Sequence, residues 1–385
     1  MFDINLKDSD ESEEVFARNV NLRIGDKSLE GYQISKKSTP SSNERRTYLN
    51  VNNCGIVECS KSITLTELRE IDGDRDKLNK FTRDINKGHP NDVSVSVIRL
   101  TASLNKINSS DIDFLAQLTT MSKIDMIVPP FISLPKEEIF DFTQYSKIIS
   151  SFFEVVENNY NISGRPVCCP IPITQISRKN VKDLIDLHDN RSQLYFFDFF
   201  GCKPLSSDNE IILKEALKNI KKVEDGHNGG SFVYGYDVSP SPKGGSFCEA
   251  QILSSIGVNA VGPKRKRLKM PVSLLDKMKG QDPLTNTKIF CEKDYTLLPA
   301  IKSQNIDGFN DFVKNDFDLD IYSMDKTGLG NCANAYNYYK RVEDIPKFVE
   351  AIHDNKTMSY LTSKNTPNNV VKIVNKVAKE VRKKD

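Results

Sequence analysis

The chain has no Trp and only four His, although it carries 20 Phe and 13 Tyr. The histidines stand at 89, 188, 227 and 353, and none forms an H-x-x-x-H or HExxH pair, which removes the helical zinc-hydrolase pattern. Cys332 and His353 alone do not specify a metal. The eight Cys contain no C-x-x-C pair, so neither a zinc knuckle nor a dithiol redox motif is present. Reduced thiols in a cytoplasmic protein are the expectation. No G-x-S-x-G nucleophile elbow occurs, and no G-x-G-x-x-G follows an apolar run, which argues against a dinucleotide-binding Rossmann unit. No window reaches the roughly 18 apolar residues of a membrane span, and the acidic opening MFDINLKDSDESEE lacks a signal-peptide layout. No membrane partner is expected. Charge of one sign is also not in excess: 54 Lys and Arg against 52 Asp and Glu leave +2, so any polyanion must be met by local clusters.

What is present is alternation. Residues 123–262 read as short apolar runs separated by segments of helical spacing: KIDMIVPPF, then a helix over 137–159, RPVCCPIPI, a helix over 178–190, LYFFDFF, a helix over 209–224, FVYGYDV, a helix over 247–257, and VNAVG. Successive βα units of this kind build parallel strands buried under helices. The spacing favours an α/β fold of (β/α)8 TIM type, with an irregular N-terminal part and a mixed C-terminal extension. Boundaries are set at 1–45 for the N-terminal segment, 46–279 for the barrel and 280–385 for an α+β extension. In the N-terminal part ARNVNLRI (17–24), RTYLNV (46–51) and GIVECS (55–60) read as strands, and 65–86 as a helix. VSVSVIRL (93–100) alternates as a half-exposed strand would. His188 reads as exposed and His227 as a turn residue. The tail helix over 368–384 keeps Val370, Ile373, Val374, Val377 and Val381 on one face and should dock by it.

In parallel α/β folds the ligand sits at the carboxyl ends of the strands. There the sequence offers Asp198, Cys202 and Lys203, then Asp237, Ser239, Ser241 and Lys243, then the basic run Lys264, Arg265, Lys266, Arg267. A carboxylate so placed can serve as nucleophile or proton shuttle if its neighbours tune it. Gly244 and Gly245 precede a helix and could seat a phosphate, together with Lys243. Cations in the 264–269 run could neutralise nucleic-acid phosphates, and a solvated loop reads the same way.

The segments KIDMIVPPF, RPVCCPIPI, FDFFGCKP and FVYGYDVSPS followed by EAQILSSIGVNAVGPKRKR resemble the strand order of the tRNA-guanine transglycosylases and their DNA-acting relatives, over about 46–270. The resemblance implies a barrel acting on a nucleobase in tRNA or DNA, with Asp125, Asp198 and Asp237 as candidate catalytic carboxylates and no cofactor. Where that family carries its nucleophile this chain reads Asn259, Ala260, Val261 and Gly262, and Asn52 and Asn53 stand where an early acid would fall. The family's zinc ligands are not matched. The alternatives are a non-catalytic barrel that binds nucleic acid or joins a complex, and a barrel enzyme on a small phosphorylated substrate seated at Gly244 and Gly245. The reading leaves room for a homo-oligomer.

Overall fold

The computed structural model describes residues 2–6, 11–51, 54–121, 123–162, 164–188, 191–227, 229–239, 247–263 and 282–383. It opens with three short antiparallel strands, β1 (Phe2–Asn5), β2 (Asn21–Ile24) and β3 (Lys27–Glu30). Two five-stranded parallel sheets follow. One contains β5 (Lys36–Lys37), β6 (Ile56–Thr64), β7 (Val93–Thr101), β8 (Met126–Ile127) and β9 (Phe131–Ser133). The other runs β10 (Cys169–Ile171), β11 (Leu194–Asp198), β12 (Phe232–Val238), β13 (Ala260–Pro263) and β4 (Gln33–Ile34). The fold is therefore mixed α/β with parallel sheets, as the alternation in the sequence implies.

The two sheets share their margins. Only Ser35 separates β4 from β5, so one extended segment supplies an edge to each sheet, pairing Ile34 with Val261 and Lys36 with Val57. At the opposite margin Ile127 bridges to Val167 in parallel, with Ile127 N donating to Pro166 O at 2.9 Å and Cys168 N to Ile127 O at 2.8 Å. The sheet thus begins at Gln33, ahead of the boundary at 46, because QISKK is too short and basic to read as a strand. RTYLNV is not a strand either. It lies in helix α1 (Ser42–Asn50), whose start is fixed by a reciprocal capping box between Ser41 and Glu44.

Local signals of this kind set the other helices. Thr64 and Glu67 cap α2 (Leu65–Asp72), and Asp74 caps α3 (Arg75–Ile85), which splits the single helix read over 65–86 at Gly73. Asn108 and Asp111 cap α4 (Ser109–Thr119), and Asp141 caps α5 (Phe142–Asn159), which therefore starts later than 137. Helices α6 (Arg178–His188) and α7 (Ser207–His227) follow, and the helix read over 247–257 is a short one, Glu249–Ile252, continued by a 3-10 turn, Leu253–Ile256. His227 is the last residue of α7 rather than a turn residue. VSVSVIRL is buried along both faces, not half-exposed. Val93, Val95 and Val97 join Met126, Phe131, Leu194, Phe196, Phe232 and Ala260 in an inner apolar cluster closed at one end by Ile4, Leu22 and Leu29. Ile98 and Leu100 point the other way, into the layer of helices.

The C-terminal part contributes the antiparallel hairpin β14 (Lys288–Cys291) and β15 (Thr296–Pro299) and a separate apolar cluster around Phe309, Leu329 and Tyr336. Its tail helix Asn368–Val381 buries Val370, Ile373, Val374, Val377 and Val381 against the main core, and Lys376 meets Glu210 of α7 at 3.1 Å. Among the described residues no helix is long and apolar enough to cross a membrane. All eight cysteines are free.

His188 corrects the sequence reading. It completes the Val181, Leu184, Ile185 stripe of α6 and is fully buried, 5.4 Å from the Phe153 ring and 6.0 Å from that of Tyr195. Burial, reinforced by the Arg191 charge, pushes its pKa down to about 3. Below about pH 6.5 the unfolded chain takes up a proton that the folded chain refuses, so stability falls as pH drops from there toward 3. At pH 5 the penalty is roughly 2 kcal/mol. Urea unfolding of the protein and of His188→Phe at pH 7 and pH 5 is expected to show a smaller acid loss in the variant; equal losses would remove His188 as the cause.

Candidate functional site

Strand parity brings a charged pair to the carboxyl ends of β7 and β11. Val93, Val95 and Val97 face inward, and the next residue of that parity is Arg99; Leu194 and Phe196 face inward, and the next is Asp198. The two meet bidentately, Arg99 Nη1 donating to Asp198 Oδ2 at 2.9 Å and Nη2 to Oδ1 at 2.6 Å. Each is 2% exposed. Phe200 lies over the guanidinium at 3.9 Å, and its own N–H donates to Asp198 Oδ1 at 3.0 Å. Tyr236 flanks the same guanidinium at 5.2 Å, stacks on Phe131 at 5.3 Å and shares a 2.5 Å hydrogen bond with Ser60 Oγ. Burial works against the Arg99 charge, but the hydrogen bonds and charge of Asp198, with Tyr236 and Asp237 beyond, outweigh it and hold the pKa above the usual guanidinium value.

A second polar layer lies deeper. The Tyr234 hydroxyl donates to Glu58 and lies within hydrogen-bond distance of Ser35 Oγ at 3.0 Å. A Cβ at Gly262 would stand 2.0 Å from Glu58 Oε2 and 2.6 Å from the Tyr234 hydroxyl, so glycine is required there for space. Asn259, at the start of the segment where a carboxylate would have been sought, is buried and accepts the Val233 N–H at 2.8 Å. It is a strut for β12.

Of the three carboxylates read from the sequence, two come together. Asp237 directly follows Tyr236, which pairs with Asp198 across β11 and β12. Its backbone is left-handed at φ 57°, where the β12 to β13 register shifts, and its side chain is almost wholly buried. Cys202 belongs to the same neighbourhood: burial first, and then the Asp198 and Asp237 charges, push its thiol up to about 12 against the help of Asn209. Asp125 does not join them. It precedes β8 at the amino end of the strands, where it accepts Lys27 Nζ at 2.7 Å and the Ser94 N–H at 2.6 Å. Strand polarity explains the difference, since a residue before a parallel strand and one at its end lie on opposite edges of the sheet.

Lys203 reaches Glu249 at 3.0 Å. Lys243, Gly244, Gly245 and Ser241, the run Lys264, Arg265, Lys266, Arg267, and Asn52 and Asn53 lie outside the described residues. Among the described residues no group of three or more His, Cys, Asp or Glu could hold a metal. Cys332 is buried with Asn43 Nδ2 at 3.0 Å, while His353 is exposed. Sequence reasoning missed Arg99, Ser60, Tyr236, Glu58 and Tyr234. One signal was available: a cation at the inward parity of a Val-rich strand calls for a buried anion opposite.

No protein-family model and no curated protein matches the chain. Among solved structures it is similar to the crystal structure of an engineered protein, at 12% identity and TM-score 0.36, over 61% of this chain. The match covers 64% of that chain, less than two thirds of its length, and so low a score carries no argument.

Chemically the pair is a preorganised guanidinium and carboxylate shielded from water. Removing one partner strands the other. Arg99→Met should cost about 3–5 kcal/mol in urea unfolding, and Asp198→Leu added to it should restore much of the loss. Simple additivity of the two substitutions would show that the ions do not act as a pair.

Proposed function

We propose that the two parallel sheets close into one (β/α)8-type barrel of transglycosylase-like layout, and that its carboxyl-end mouth handles a nucleobase carried by tRNA or DNA. Three observations support the barrel reading: the shared segment Gln33–Lys37, the Ile127 to Val167 bridge, and an inner apolar cluster drawn from both sheets. Asp237 carries the functional reading. A non-glycine residue held left-handed at the end of a strand is a strained placement of the kind that gathers at functional sites, although Asp tolerates it better than most. Beside it Asp198 fixes the Arg99 guanidinium, and Asp237 is the acting carboxylate of this reading.

In this reading an Asp237 oxygen bonds to the sugar C1′ as the glycosidic C–N bond breaks, the base leaves with the electron pair and takes up a proton, and an incoming base reverses the step. The cations that follow β12 and β13 in the sequence, Lys243 and Lys264 to Arg267, would hold the phosphates. The second reading is a barrel that binds nucleic acid without catalysis; the use of Asn259 as a strut where a nucleophile was sought favours it.

Exchange of a labelled free base into tRNA and DNA, alongside binding over a salt series, separates the two. Catalysis predicts that Asp237→Asn lowers exchange at least about a hundredfold while salt-dependent binding persists. Binding with no exchange in the unaltered protein selects the second reading, and absence of polyanion affinity removes both.

A further inference from the structure

On the outer side of β6, over Val57 and between α1 and α3, lies a cavity of about 780 Å³. Its wall is strongly basic. Arg45 comes from α1, Arg83 and Lys87 from the end of α3, and Lys123 from the turn before β8. Among the described residues Asp92 is the single acid in the lining, and it is already occupied: Oδ1 accepts Lys36 Nζ and Gly55 N–H, both at 2.8 Å, and Oδ2 meets His89 Nδ1 at 3.0 Å. Lys37 is taken by Glu44 at 2.5 Å, and Lys87 meets Asp84 at 3.6 Å. Arg45, Arg83 and Lys123 are exposed and form no ion pair among the described residues. Three cations thus converge on a concave surface whose own anion is spent.

A positive concavity with low-dielectric walls focuses potential on an incoming anion, and its size suits a small organic ligand. Part of the wall is apolar. Tyr48 is half-buried beside it, and Leu49 stands 64% exposed at its margin. Guanidinium groups from two helices suit the forked geometry of phosphate, and a tyrosine offers a face or edge to a ring.

We propose that this groove is a binding site for a phosphate-bearing ligand of nucleotide size, either a free nucleotide or one unit of a single strand. The site includes residues from the amino-end turns of the parallel strands, away from Asp237, and does not rest on the mouth being catalytic.

The full-length protein is titrated into a fluorescein-labelled tetrauridylate, read by anisotropy, with AMP as competitor. Arg83→Glu with Lys123→Glu is expected to weaken binding at least about tenfold and to flatten its salt dependence. An equal charge change on α6, Lys179→Glu with Lys182→Glu, should leave the affinity within about twofold. Displacement by AMP assigns the groove to a free nucleotide, and resistance to AMP assigns it to a strand. Unchanged affinity in the Arg83, Lys123 variant overturns the site, as does an equal loss in the α6 control. Since exchange activity is not read, failure here leaves the proposal for the mouth standing, and the reverse holds too.

Discussion

The ion pair between Arg99 and Asp198 is the constraint around which the interior is arranged. It joins β7 of one sheet to β11 of the other, and neither ion could be buried without its partner. The hydrogen bonds around it follow the same rule. Ser60 on β6 meets Tyr236 on β12, and Glu58 on β6 meets Tyr234 on β12. Each of these polar side chains is thus met by a residue of the opposite sheet, and the apolar residues fill the space below. Such bonds are specific in direction where the Val, Phe and Leu contacts beneath them are not, so they fix the registration of the two sheets.

The arrangement also gives two neighbouring carboxylates unlike surroundings. Asp198 has both oxygens engaged by Arg99 and accepts a third bond from the Phe200 amide. Asp237 sits one residue beyond the Tyr236 that flanks that pair, on a backbone turned into the left-handed region. Two carboxylates on adjacent strands therefore have different environments.

The order of strands and helices was legible because each βα unit announces itself locally: apolar runs of strand length, then Ser, Thr, Asn or Asp caps ahead of helical spacing. Asp141 ahead of α5 and Asn108 ahead of α4 are examples. The strand at 33–37 was not legible, since its pairing with Val261 and Val57 is a tertiary fact with no local trace in QISKK. RTYLNV misled because its β-branched and aromatic residues suggest a strand, while the capping box decided for a helix. For the site, Asp198 and Asp237 could be named from their positions at strand ends. Arg99 could not, because its role depends on which strand lies across the interior. Asp125 entered through the resemblance of KIDMIVPPF, and strand direction places it at the end opposite Asp198.

Helix and strand formation along 56–238 can proceed largely between neighbours, but the segment Gln33–Lys37 must wait. It pairs on one side with Val57 and on the other with Ala260 and Val261, so its second partner leaves the ribosome long after the first. Until then β4 presents an open edge, and β12 has none of its bonds to β13. Vectorial synthesis therefore holds the early chain in an incomplete state, and β13, the last strand of the two parallel sheets to emerge, removes both exposed edges.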